Sequence, residues 1–86
     1  MDLITAAQQV AADMGVPLLA IRPESPNPNN WFLGVVLCNR PRDYQPKDAP
    51  TYVTWGINWS DPDNPYFFAG HYDLSYDTAL KDFLTR

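Results

Sequence analysis

Reactive side chains are scarce in this chain. Its 86 residues include one cysteine, one histidine and, beside nine aspartates, the single glutamate Glu24. Cys38 alone excludes an internal disulfide, and with one histidine, His71, it cannot complete a four-ligand structural zinc site. Cys38 is instead expected to be a small buried hydrophobe at a strand end. Long apolar runs are absent too: nothing approaches the ~18–20 residues of a membrane span. The N-terminus has no basic region, and Gln8, Gln9 and Asp13 interrupt residues 3–14. That pattern argues against a signal peptide, so a cytoplasmic location is expected. Gly15, Gly34, Gly56 and Gly70 are isolated from one another, which excludes a glycine-rich phosphate loop.

Basic charge is also in short supply: six Lys and Arg stand against ten acids, a net charge of −4. The bases form no stripe. Arg40 and Arg42 share a loop, Arg22 ends a strand, and Lys81 and Arg86 belong to the last helix. Nucleic-acid affinity comes largely from cations that neutralise phosphates, so direct nucleic-acid binding is not expected. No cofactor and no metal is expected either.

What the chain does have is apolar and aromatic bulk, 45% hydrophobic and 14% aromatic residues, enough for one globular domain spanning residues 1–86. Prolines gather in three groups, 23–28, 41–50 and 62–65, which mark three loops. Residues 2–14 read as a helix with Asp2 as N-cap, Gly15 at its C-terminal end and Pro17 as a stop. Its expected apolar stripe is Leu3, Ala7, Val10 and Met14, flanked by Ile4 and Ala11. Residues 17–22 read as a short edge strand bounded by prolines.

Residues 31–38 are apolar without alternation and rich in β-formers, the mark of a central strand covered on both sides. Residues 51–59 alternate strictly, with Val53, Trp55, Ile57 and Trp59 on one face. A six-residue loop, 60–65, leads into an antiparallel strand over residues 66–73. The closing helix, 76–84, has Ser75 as N-cap, Leu74 and Ala79 as a hydrophobic staple, and an apolar stripe of Tyr76, Ala79, Leu80, Phe83 and Leu84. The three glycines inside strands mark bulges or close approach of a helix. These elements predict an α+β fold of order α-β-β-β-β-α. Its four-stranded antiparallel meander runs 1-2-3-4, with both helices on one face as a two-layer sandwich.

Few residues offer chemistry. His71 and Asp73 stand i and i+2 on a strand with no nucleophile between them, and Cys38 lies on a strand that is not its neighbour. A small hydrolase using His71 is therefore the weakest of the functional alternatives. Asp61, Pro62, Asp63 and Asn64 have the composition of a calcium loop, but the positions requiring Gly and a bidentate acid hold Tyr66 and Tyr72. A turn explains them better.

The aromatics weigh more. In residues 66–73, one parity exposes Phe67, and the other exposes Tyr66, Phe68 and Tyr72. Either the loops at 23–30 and 39–50 fold over this surface, or it meets a partner. The expected contact residues are Trp31, Tyr44, Tyr52 and Tyr66, with Arg40 and Arg42 at the rim. An acidic protein of this kind is expected to bind a basic protein partner. The alternative is a homodimer, or a small-ligand domain, whose open face closes on its own copy.

The helix-strand-strand-strand-helix order resembles, in part, the double-stranded-RNA-binding fold. Ser75, Tyr76, Asp77 and Thr78 carry no lysine cluster at the start of the last helix, so RNA binding is not implied. The segment from Tyr52-Val53-Thr54-Trp55 through Gly70-His71-Tyr72-Asp73 to Ala79-Leu80-Lys81-Asp82-Phe83 resembles small phage and mobile-element proteins, a group that includes anti-CRISPR inhibitors. That resemblance implies an accessory or inhibitory role against a host system.

Overall fold

A computed structural model describes residues 2–23, 33–39, 51–61 and 63–86. The elements are α1 (Leu3–Met14), β1 (Leu18–Pro23), β2 (Leu33–Asn39), β3 (Tyr52–Asn58), β4 (Tyr66–Leu74) and α2 (Tyr76–Thr85). The sheet is an antiparallel meander in the order β1-β2-β3-β4, as the sequence predicts.

The expectation that both helices share one face is overturned. Val36, Cys38, Val53, Trp55, Ile57 and Trp59 pack with Ala6, Ala7 and Ala11 of α1. Val35 and Leu37 pack with Ala79 and Phe83 of α2, joined by Ala20, Tyr52, Leu74 and Leu80. Neighbours on a strand point to opposite sides, so the apolar run of β2 needs a cover on each side. One helix supplies each cover, and the domain has three layers instead of two.

Local sequence explains both helices. Asp2 accepts a hydrogen bond from the Thr5 backbone N–H at 2.7 Å, and that bond holds its carboxyl below the usual range. Gly15 closes α1 at φ 71°, a left-handed conformation that costs glycine nothing. The buried face of α1 is Ala6, Ala7, Val10 and Ala11, while Ile4 and Met14 are exposed. The helix has turned its alanines to the sheet, because small side chains permit the closest approach. Ser75 caps α2 by accepting from the Thr78 N–H at 3.3 Å.

β4 breaks the simple alternation. Phe68 pairs with Gly56 and His71 with Thr54, three residues against two, and the same happens between His71 and Leu74 opposite Thr54 and Tyr52. Each extra residue is a bulge, and Ala69 (φ 51°) and Asp73 (φ 59°) take the positive φ angles there. Neither parity therefore holds along the whole strand. Phe67 and Tyr72, of opposite parity, both lie against Trp55, with ring centroids 5.2 and 5.8 Å from it.

Candidate functional site

Two groups of side chains combine chemistry with access: a polar cluster between α2 and the sheet, and the aromatic edge of β4.

The polar cluster centres on Asp82. Its Oδ2 accepts a hydrogen bond from Thr54 Oγ1 and lies 2.8 Å from His71 Nδ1. Arg86 donates to Thr54 Oγ1 at 3.1 Å, to the Thr54 carbonyl at 3.2 Å and to the Ala69 carbonyl. Partial desolvation opposes ionisation of Asp82. Hydrogen bonds from Thr54 and His71, with the positive charges of His71 and Arg86, outweigh it and hold the carboxyl below its ordinary value.

The partner of His71 is thus Asp82, not Asp73. Thr54 is fully buried and gives its proton to Asp82, so no hydroxyl is presented to the imidazole. Cys38 lies on the opposite face, where burial pushes its thiol up to about 12. The cluster ties the end of α2 to β3 and β4. It satisfies Thr54, the one buried polar residue among those described. Spacing along the chain concealed it, since Thr54, His71, Asp82 and Arg86 meet only through tertiary packing.

The 60–65 loop is organised by turn chemistry. Asp61 accepts from the Asp63 N–H at 3.0 Å and from the Asn64 amide at 3.3 Å, and its carbonyl takes the Asn64 N–H at 3.1 Å. Among the described residues, no group of three or more metal-ligating side chains converges.

The aromatic edge is the larger surface. Among the described residues, every exposed aromatic ring falls within residues 66–76: Tyr66, Phe68, Tyr72 and Tyr76. Tyr66 and Phe68 face the α2 side, tilted to each other with centroids 6.1 Å apart. Tyr72 faces the α1 side, where its hydroxyl accepts from Trp55 Nε1 at 3.1 Å. Asp61, Asp63, Asp73 and Asp77, all exposed, flank these rings, and residues 60–77 hold no Lys or Arg.

Of the expected contact residues, Tyr66 is exposed on this edge. Tyr52 is half-buried beneath the start of α2, edge-on to Tyr76 at 5.2 Å. Trp31, Arg40, Arg42 and Tyr44 lie outside the described residues. Phe68 and Tyr72, which share the parity of Tyr66, are exposed as well but are not among the expected contact residues; the bulge between Phe68 and His71 leaves Tyr72 on the opposite side of the sheet from Tyr66 and Phe68. No helix among the described residues is long and apolar enough to cross a membrane. No family model, curated protein or solved structure matches the chain.

Proposed function

We propose that this chain is a non-enzymatic protein-interaction module that docks a basic protein partner through the β4–α2 edge. The observation that carries the reading is the gathering of exposed rings and carboxylates on one edge. Aromatic rings give large contact area at low entropic cost, and the acids speed encounter with a positively charged surface. The same acids weigh against a symmetric dimer through this edge, which would set carboxylates against carboxylates. The arrangement around His71 also favours binding over catalysis, since its carboxylate neighbour engages Thr54 as well. A cytoplasmic accessory or inhibitory role against a host system rests on the resemblance of the C-terminal segment to phage proteins.

The test is paired affinity capture from host cells, with wild-type and Tyr66→Ala/Phe68→Ala chains of matched circular dichroism. A basic protein retained by the first and lost by the second is expected. Equal recovery by both baits, or sedimentation revealing a tight dimer that the double substitution dissolves, would overturn the reading.

A further inference from the structure

We propose that Phe68 and Tyr66 form a stacking platform for a cationic side chain, an arginine guanidinium above all, carried by a basic protein segment. The inference rests on the reading of the β4 edge as a docking surface and names the group that this surface takes.

The geometry begins at Gly56. A Cβ built there would stand 2.6 Å from Phe68 Cζ and 2.8 and 2.9 Å from the two Cε atoms. Such nearly equal distances arise only over the face of a ring, because an in-plane approach would leave both Cε atoms much farther away than Cζ. Phe68 therefore lies face-down on the glycine, and its opposite face is turned outward. The residue is 37% exposed, and Tyr66 beside it is 52% exposed, with 57° between the ring planes. Two rings at that angle make a shallow corner. Any residue larger than glycine at position 56 would lift the floor of it.

The electrostatics select the occupant. The face of an aromatic ring is negative and attracts cations. Asp61 and Asp63, on the loop that enters β4, add carboxylates at the Tyr66 end. The nearby cation, Arg86, is held by Thr54 and Ala69, with Asp82 in the same cluster. The chain makes an arginine-on-ring contact of its own on this face of the sheet: the Arg22 guanidinium lies 5.6 Å from the centre of the Phe83 ring, its Nε donating to the Phe83 carbonyl at 2.6 Å. A nucleobase would also stack on such rings, but its phosphate would meet the acids. The bulges at Ala69 and Asp73 interrupt the outer edge of β4 just beyond Phe68. A partner strand cannot extend the sheet past that point, so recognition falls to side chains.

The test is an NMR titration of the isotope-labelled full chain with an arginine nonapeptide. A citrulline nonapeptide, which keeps the planar group but removes its charge, serves as control. The arginine peptide is expected to shift the Tyr66 and Phe68 ring signals, with its own side-chain protons moving upfield under the ring current. Phe68→Leu and Gly56→Ala, one removing the ring and the other displacing it, are each expected to weaken binding by about 3- to 10-fold. Spectra of both variants establish that the fold persists.

Equal binding of the citrulline peptide, unchanged affinity in Phe68→Leu, or a single-stranded oligonucleotide that binds the same rings more tightly would overturn the platform. Arginine-peptide binding that moves the aspartates but not the rings would overturn it too, while leaving the docking reading intact. Failure of that reading appears separately, as equal capture of partner by the wild-type and Tyr66→Ala/Phe68→Ala baits.

Discussion

Single residues differ in how much room surrounds them, and two glycines make the contrast measurable. At Gly34 an added methyl would stand 2.9 Å from the Arg22 carbonyl, which belongs to the β1 backbone, and 2.8 Å from Leu3 Cδ1. At Gly56 the obstacle is the outer part of an exposed ring that can swing into solvent. Gly34→Ala is therefore expected to cost about 1–3 kcal/mol and Gly56→Ala well under that, as urea unfolding would measure.

Asp82 makes a prediction with a sign. Its folded-state pKa lies below the unfolded value of 3.8, so its contribution is present above that pH and is lost as pH falls through the folded value. Asp82→Asn removes the contribution. Wild type should be the more stable at about pH 6, and the two urea midpoints should converge as pH falls below about 4. A gap that persists in acid would show that Asp82 acts through packing and not through its charge.

Elements were legible where their signals are local. Asp2, Gly15 and Ser75 end the helices where the sequence says they must, since a cap acts on backbone groups within a few residues. Ser75→Ala is expected to cost about 1 kcal/mol in thermal or urea unfolding, with loss of helical ellipticity concentrated in α2. The alternation of β3 also reads directly, because its large apolar side chains Val53, Trp55 and Ile57 all lie on the α1 side and its pairing with β2 is in unbroken register.

What failed to read depends on distant parts of the chain. The unbroken apolar run of β2 says that both sides are covered, but it does not say by which helix. β4 looks like an alternating strand, yet the positive φ angles at Ala69 and Asp73 reset its parity twice. Neither residue is one that advertises a left-handed conformation as glycine does. The candidate site suffers the same loss. Tyr66 and Phe68 share one parity and were within reach of pattern reasoning, whereas the side taken by Tyr72 and the Asp82 cluster depend on register and on how α2 lies across the sheet.

The whole molecule is thin for its task. Among the described residues, one short helix packs on each face of the sheet, and on the α2 side the buried cluster is Ala79 and Phe83 over Val35 and Leu37. Domains of this size have about 5–15 kcal/mol of stability in all. Phe83→Ala, costing about 3–5 kcal/mol, is expected to bring the chain close to unfolding at room temperature, seen as a lost or strongly shifted thermal transition. Four exposed rings within residues 66–76 of so small a fold are what the proposed docking role accounts for.

The most direct measurement is hydroxyl-radical footprinting of the dilute free chain, repeated after a captured partner is bound. Tyr66, Phe68 and Tyr72 are expected to oxidise readily in the free chain and to become protected, Tyr66 and Phe68 most of all, in the complex. Rings already protected in the free chain, or equally reactive with the partner bound, would contradict a docking role for the β4 edge.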